Sequence, residues 1–243
     1  MQIGRKIIRL ESVDSTNNYT ANLLNKGELT NGTVIMADDQ FAGKGQRGAE
    51  WLTKPGENLT FSFFLDNVNL SVQKQFYLTC IISNILVDLL SKIGLKAKIK
   101  WPNDIYINRK KIAGILIENQ LSGSMVKSVI IGIGLNVNQL NFEDLIATSI
   151  YKETNERKNP MDILFSFIEE FNSKWKNFSE SNFNEVKSNY LKNLFQINEI
   201  GFYEDSTGNF EGKIINVLDS GHIEIEKGNN VLHYDLKEIK FKL

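Results

Sequence analysis

Four strand-like segments follow one another in the middle of the chain, and they constrain the fold more than any other feature of the sequence. The second and third are joined only by Asn108-Arg109-Lys110, and a connection this short permits nothing but an antiparallel hairpin. The sequence therefore excludes a doubly wound parallel fold and predicts an α+β fold built on a mixed β-sheet. The four segments span residues 96–100, 105–108, 112–119 and 126–136.

Helical patterns and further strand patterns surround this block. Asp14-Ser15 can cap a helix that runs to about Asn25, and Ser71 can begin a longer helix that ends at Ile93. The longer helix carries a broad apolar stripe, so we expect helices to cover a face of the sheet. Apolar residues at helical spacing also fill residues 159–193, and the sequence predicts additional strands at residues 6–10, 33–37 and 58–65.

The character of the chain changes near residue 196. From Ile200 onward, short strands alternate with turn signals such as Ser206-Thr207-Gly208, a pattern typical of a small β-barrel of about four or five strands. We therefore predict two domains, a larger one over residues 1–195 and a small barrel over residues 196–243.

The bulk composition excludes several classes of protein. A net charge of −1 over 243 residues argues against a general nucleic-acid binder, which usually carries a broad basic excess. The single cysteine, Cys80, lies in an apolar run and the chain has two histidines, so neither a disulfide framework nor a zinc site is expected. No apolar run reaches membrane-spanning length, so we expect a soluble, cytoplasmic protein. The oligomeric state stays open between monomer and homodimer, with residues 125–133 as a candidate edge strand.

A glycine-rich segment, GKGQRG at residues 43–48, fits the dinucleotide-binding pattern G-x-G-x-x-G. That fingerprint needs a helix directly after its last glycine, and Pro55-Gly56 follows too soon for one. A protein-kinase loop is also excluded, because the chain has no His-Arg-Asp or Asp-Phe-Gly element. Glycine amides together with Lys44 and Arg47 could still hold an anion. Taken alone, however, the loop reads better as a solvated basic hairpin tip.

A second segment, Trp101-Pro102-Asn103-Asp104, lies just before the predicted hairpin. Asp104 is near the end of one strand and Lys111 at the start of the next, so the two side chains can face each other across the turn. As an isolated pair they would read as a surface ion pair of little energetic weight.

Four segments in the same order resemble the signature segments of biotin protein ligases: DSTNN at 14–18, GKGQRGAEW at 43–51, KWPNDIYINRKKIAGILIE at 100–118 and IGIGLNVN at 131–138. The resemblance covers the chain from about residue 5 onward. It implies an ATP- and Mg²⁺-dependent ligase that makes biotinyl-5′-AMP and transfers biotin to a lysine of a biotin carboxyl carrier domain. It also implies that the terminal barrel is the SH3-like domain of this family. The DNA-reading helix-turn-helix of some members is expected to be absent, so DNA binding is not expected.

The resemblance also implies roles for individual residues. Lys111 is expected to be the cation that touches both the carboxylate and the phosphate, and Asp104 to orient Lys111 or to accept the proton of the incoming lysine. Biotin-binding positions are Ser15, Thr16, Asn17, Gln40, Gly43, Lys44, Gly114 and Gly132, with Gly134 also keeping side chains out of the pocket. ATP- and adenylate-binding positions are Lys44, Gln46, Arg47, Trp51, Lys111 and Asn136, and Mg²⁺ is expected on the ATP phosphates near Asn136 with no protein ligand firmly assigned.

The glycine loop departs from the family pattern at one position. The family usually has arginines at the positions of Lys44 and Gln46, and here the second is neutral with Arg47 beside it. We hypothesise that Lys44 and Arg47 compensate in part, at some cost in adenylate retention. Trp51 either lines the adenylate site or packs the base of the loop, which we expect to be a mobile flap. Two alternatives stay open: a lipoate or octanoate ligase or transferase of the same fold, and a non-catalytic biotin- or nucleotide-binding module.

Overall fold

The computed structural model describes residues 2–143 and 145–242, except for the side chain of Arg47. The larger part of the protein is a seven-stranded sheet with the spatial order first, second, third, seventh, sixth, fifth, fourth. The first two strands are parallel and every other neighbouring pair is antiparallel, so the predicted mixed sheet is confirmed. The strands are β1 (Ile7–Val13), β2 (Val34–Gln40), β3 (Asn58–Ser71), β4 (Lys98–Lys100), β5 (Asp104–Ile107), β6 (Lys110–Ser122) and β7 (Met125–Asn136).

The predicted hairpin joins β5 to β6. Asn108 and Arg109 form its turn with positive φ angles of 46° and 67°, the left-handed geometry that a two-residue hairpin turn requires. The register places Asp104 opposite Gly114 and Tyr106 opposite Lys111. Lys111 therefore lies beside the turn and Asp104 at the far end of the short strand β5, so the two charged residues predicted to be catalytic are diagonal to each other across the hairpin.

Helices cover both faces of this sheet. β3 alternates strictly: the Phe61 and Phe63 rings meet Phe167 and Phe171 on one face, while Ser62 bonds to Asn17 on the other. A polar strand position thus faces one helix, and the apolar positions face another. The helices of the described residues are α1 (Thr16–Asn25), α2 (Phe76–Lys92), α3 (Ile150–Thr154), α4 (Pro160–Trp175) and α5 (Phe183–Lys192).

Two details of the sequence-based prediction are wrong, the start of the long helix and the edge strand, whereas the helical region at residues 159–193 is confirmed with a break inside it. The long helix begins at Phe76 instead of Ser71, because β3 continues to Ser71, where it pairs with Met125. The helical stretch at residues 159–193 is two helices, separated by turns that include a short 3-10 helix at Glu180–Asn182. Residues 125–133 are not an edge, because β7 lies between β3 and β6 along its length.

The C-terminal part is a second, five-stranded antiparallel sheet, which agrees with the expected SH3-like domain. In the described residues its two outer strands do not pair with each other, so the sheet is open and not a fully closed barrel. The division into 1–195 and 196–243 stays a prediction. The strands are β8 (Ile200–Asp205), β9 (Gly208–Val217), β10 (Ile223–Lys227), β11 (Asn230–Tyr234) and β12 (Lys240–Lys242), in the order β11-β10-β9-β8-β12.

The turn between β9 and β10 fastens the second sheet to the first. Trp101, in the loop before β5, donates its indole N–H to the Gly221 carbonyl at 2.9 Å. In the same turn the Asp219 carboxylate accepts hydrogen bonds from Lys187 at 2.8 Å, Lys74 at 2.5 Å and Tyr77 at 2.9 Å. These bonds, that from Lys187 above all, lower the pKa of Asp219 well below its ordinary value.

No helix in residues 2–143 or 145–242 combines the length and the apolar character that crossing a membrane would need.

Candidate active site

A cavity of about 790 Å³ opens between the N-terminal end of α1, the 43–51 loop, the β5–β6 hairpin, β7 and the C-terminal sheet. This volume lies within the range usual for small-molecule sites. Most residues predicted for the site line it: Ser15, Thr16, Asn17, Gln40, Lys44, Gln46, Trp51, Asp104, Lys111, Gly114, Gly132 and Gly134.

One end of the cavity is polar and is organised by Gln40, the last residue of β2, whose side chain meets the start of α1. The side-chain oxygen Oε1 of Gln40 accepts a hydrogen bond from the backbone N–H of Thr16 at 2.7 Å and one from the Thr16 hydroxyl at 3.0 Å. Ser15 occupies the N-cap position, as predicted, but within the described part of the chain its side chain makes no capping bond. Because Gln40 satisfies the first helical N–H, the Ser15 hydroxyl is left to serve the cavity that it lines.

The polar end continues across the sheet through Asn17 and Ser62. The Ser62 hydroxyl lies 2.6 Å from Asn17 Oδ1 and 2.7 Å from Thr16 Oγ1, and Asn17 Nδ2 donates to Glu118 at 2.6 Å. Ser62 and Asn17 are buried, with 0% and 3% exposure. Gly132 is required beneath them, because a Cβ there would lie 2.1 Å from Asn17 Oδ1.

The other end of the cavity is charged. Lys111 Nζ lies 2.7 Å from Asp104 Oδ1, which confirms the predicted cross-hairpin pair. The two side chains are 31% and 22% exposed, so the pair is partly desolvated while still open to the cavity. Lys111 is also 5.3 Å from the centre of the Trp51 ring, within the range of a cation–π contact.

Trp51 both lines the cavity and closes the loop. Its indole lies flat against Gly134, where a Cβ would be 2.2 Å from Cε2, and near Gly114. Its backbone N–H donates to the Gly43 carbonyl at 2.9 Å. The two roles that the sequence left open are therefore compatible. Within the described residues its indole N–H has no hydrogen-bond partner.

The glycine loop is a hairpin with a single 3-10 turn at Gln46–Gly48. Gly45 N–H donates to Ala49 O at 2.6 Å, and the chain is extended at Ala49, which agrees with the exclusion of a dinucleotide-binding helix. Lys44 Nζ donates to Asn18 Oδ1 at 2.9 Å, which ties the loop to α1.

Two predicted residues are not among the described residues that line the cavity. Gly43 is buried beside Trp51 and supports the loop. Asn136 is 3% exposed and donates to the Thr148 carbonyl at 3.0 Å, so its predicted role near the phosphates stays a prediction. The side chain of Arg47 lies outside the described residues.

The structure adds residues that sequence reasoning missed. Lys100 lines the cavity with its ammonium 4.8 Å from the Phe241 ring and 5.5 Å from the Tyr106 ring. Burial lowers the pKa of Lys100, nearby Lys111 adds to this effect, and Asp104 opposes it. A serine between phenylalanines in the apolar part of β3 was a readable signal for Ser62. The contribution of β12 through Phe241 was not readable, since it depends on how two separate sheets pack.

Comparisons with known proteins agree with this geometry. The family described as the biotin/lipoate A/B protein ligase family matches residues 10–136. The chain belongs to this family. It is 31% identical to the bifunctional ligase/repressor BirA of Bacillus spizizenii over 92% of this chain and 70% of that protein. It is 33% identical to the biotin–(acetyl-CoA-carboxylase) ligase of Paracoccus denitrificans over 53% of each chain.

A solved structure extends the likeness to the whole fold. The biotin protein ligase from Aquifex aeolicus in complex with biotin and ATP has a TM-score of 0.81 and 27% identity, covering 98% of this chain and 99% of that one. The predicted family and fold are therefore confirmed.

Proposed function

We propose that this member of the family is an ATP-dependent biotin protein ligase that forms biotinyl-5′-AMP and transfers biotin to a lysine of a carrier domain. The observation that carries this proposal is one cavity with the hydrogen-bonding groups of Thr16, Asn17 and Gln40 at one end and the Lys111–Asp104 pair at the other. Biotin has a matching layout, with a polar ureido ring at one end and a carboxylate at the other.

In the first half-reaction a biotin carboxylate oxygen forms a bond to the α-phosphorus of ATP, and the bond from that phosphorus to the bridging oxygen breaks to release pyrophosphate. Two anionic groups must approach each other, so a fixed cation between them lowers the barrier. Lys111 is the residue that we assign to this role, and its contacts with Asp104 and the Trp51 ring at the charged end of the cavity support the assignment.

In the second half-reaction the amine of a carrier lysine attacks the carbonyl carbon of the mixed anhydride. A C–N bond forms, the bond from carbon to the phosphate oxygen breaks, AMP leaves, and the amine loses a proton. Asp104 is the carboxylate paired with Lys111 on the cavity wall, and it can orient Lys111 or accept this proton.

Mg²⁺ would enter with ATP. In the part of the chain that the structure describes, no three His, Cys, Asp or Glu side chains are grouped to hold a metal ion. Mg²⁺ is usually held by one or two carboxylates together with substrate phosphates and water, so phosphate oxygens would supply most of its ligands here. When bound, the ion would neutralise phosphate charge and help pyrophosphate leave.

The rival substrates fit the polar end less well. Lipoate or octanoate would present an apolar end to the buried groups of Asn17 and Ser62, and unpaired buried polar groups disfavour such a ligand. A non-catalytic binding module would not need the Lys111–Asp104 pair. Cytoplasmic location, a biotin carboxyl carrier partner, a monomeric or homodimeric state and the absence of DNA binding stay predictions.

The test is to incubate the protein with ATP, Mg²⁺, biotin or lipoate, and a carrier domain, and to follow pyrophosphate release and carrier mass. We expect one biotinyl group per carrier and no lipoyl group. Lys111→Met should lower the rate of adenylate formation by roughly 100- to 1,000-fold. The neighbouring, exposed Lys110→Met is the matched control and should keep wild-type activity. A carrier without a biotin-dependent change of mass would refute the proposal.

A further inference from the structure

Lys100 is the last residue of β4, and it lies directly opposite Asp104 in the pairing of β4 with β5. Residues opposite each other in an antiparallel pair point to the same face of a sheet, so Lys100 and Asp104 share the face that lines the cavity. Lys111 reaches the same carboxylate from β6, the other neighbour of β5. A row of cation, anion and cation therefore crosses three adjacent strands.

The two cations of this row differ in their partners. Lys111 forms an ion pair with Asp104 at 2.7 Å, whereas, among the residues that the structure describes, the Lys100 ammonium has neither an ion pair nor a hydrogen bond. It lies instead 4.8 Å from the centre of the Phe241 ring and 5.5 Å from that of Tyr106. Aromatic rings hold an ammonium in place but leave its three N–H donors available to a ligand.

The charge of this row calls for an anion. One carboxylate, Asp104, faces two lysines, so the row carries one positive charge in excess. Burial lowers the pKa of Lys100; Asp104 opposes this shift and the charge of Lys111 adds to it. An anion that reaches both ammonium groups would compensate the burial of Lys100 and the repulsion between the two lysines.

The position of Lys100 indicates which part of the substrate this anion is. Adjacent strands lie about 4.8 Å apart, so β4 is about 10 Å from β6 and its lysine serves a different point of the cavity from Lys111. With the α-phosphate beside Lys111, the rest of the triphosphate chain can extend along the row toward Lys100 and the second sheet. The two terminal phosphates carry most of the negative charge of ATP.

We propose that Lys100 binds the β- and γ-phosphates of ATP and stabilises the departing pyrophosphate, while Lys111 acts at the α-phosphate. The inference rests on the proposed function and adds to it a second cation with a separate task. When the bond from the α-phosphorus to the bridging oxygen breaks, that oxygen gains negative charge. Lys100 compensates this charge without transferring a proton.

The test follows biotin-dependent exchange between ATP and pyrophosphate. Lys100→Met keeps an unbranched apolar stem against Phe241 and Tyr106 and removes the charge. We expect the KM for pyrophosphate to rise roughly 10- to 100-fold, while the biotin Kd stays within about twofold. Lys100→Arg keeps the charge and should recover most of this loss. Lys98→Met is the matched control: Lys98 is exposed on the same strand, its ammonium contacts the Lys192 carbonyl, and both values should stay unchanged.

The second half-reaction separates this role from a structural one. Transfer from purified biotinyl-5′-AMP to the carrier involves no pyrophosphate, so Lys100→Met should run it within about twofold of the wild-type rate. A lysine that only holds Phe241 in place would slow both half-reactions alike when replaced. An equal loss in both, or an unchanged KM for pyrophosphate, overturns the inference.

Two further outcomes are distinguishable. If Lys100→Met does not fold, Lys100→Gln provides the same comparison. A wild type without biotin-dependent exchange refutes the proposed function, whereas an active wild type with an unchanged Lys100→Met refutes this inference alone.

Discussion

The backbone of Gly132 lies close to the Asn17 side chain at the polar end of the cavity, and this leads to a quantitative prediction for Gly132→Ala. A Cβ at this position would lie 2.1 Å from Asn17 Oδ1 and 2.9 Å from its Cγ, whereas ordinary contact begins near 3.4 Å. β7 is paired on both sides, so the backbone cannot retreat and Asn17 must withdraw by more than an ångström. That shift breaks the hydrogen bonds of Asn17 to Ser62 and Glu118.

The loss of folding stability follows from the two hydrogen bonds of Asn17 that Gly132→Ala breaks. A neutral buried hydrogen bond contributes about 1 kcal/mol, and a partly exposed one to a carboxylate about 1.5 kcal/mol, so Gly132→Ala should destabilise the fold by about 2–3 kcal/mol. For a domain of this size the melting temperature should fall by roughly 5–10 °C. Biotin affinity should fall at least about tenfold, because the displaced amide no longer meets the ligand in its proper place.

Urea denaturation and biotin titration of the same preparation measure both effects. Ser128→Ala is the control on the same strand: it removes one hydrogen bond, to Gln120, outside the cavity. It should cost about 1 kcal/mol of stability and leave biotin affinity unchanged. The steric reasoning fails if Gly132→Ala binds biotin as the wild type does.

Two further predictions concern the interface between the sheets and the glycine loop. The folded-state pKa of Asp219 lies below its unfolded value, so the carboxylate stabilises the fold at neutral pH and loses this effect as pH falls through the acidic range toward that lower pKa. Because the side chain is 43% exposed, we expect Asp219→Asn to cost only about 1–2 kcal/mol at pH 7. In urea denaturation the difference from the wild type should shrink steadily from pH 5 to pH 3, and a constant difference would contradict this assignment. Gln46→Arg should slow release of biotinyl-5′-AMP in a filter-binding assay, since it restores a cation on the cavity wall; an unchanged rate would show that Gln46 costs nothing in retention.

The part of the site that the sequence predicts well is local. The closeness of Asp104 and Lys111 follows from the short turn at Asn108 and Arg109, which sets β5 beside β6, although the register shift between Ile105 and Tyr106 was not readable from the sequence. The start of α1 was equally predictable, since a Ser-Thr pair before a helical pattern is a strong signal.

What the sequence could not predict depends on distant partners. The helix start at Ser71 was wrong because the end of β3 is extended by pairing with β7, a contact absent from any local pattern. The hydrogen bond from Asn17 to Glu118 joins residues 101 positions apart, so no spacing rule points to it. Likewise, Phe241 reaches the cavity only because the second sheet is fastened to the first at Asp219.

The contribution of β12 to the cavity wall has a consequence for how the protein is made. The polar end of the cavity begins at Ser15, whereas Phe241 completes the cavity wall beside Lys100. A ribosome must therefore synthesise nearly the whole described chain before this wall is complete. A chain with only the first sheet folded would hold the Lys111–Asp104 pair but would lack the aromatic ring that covers Lys100.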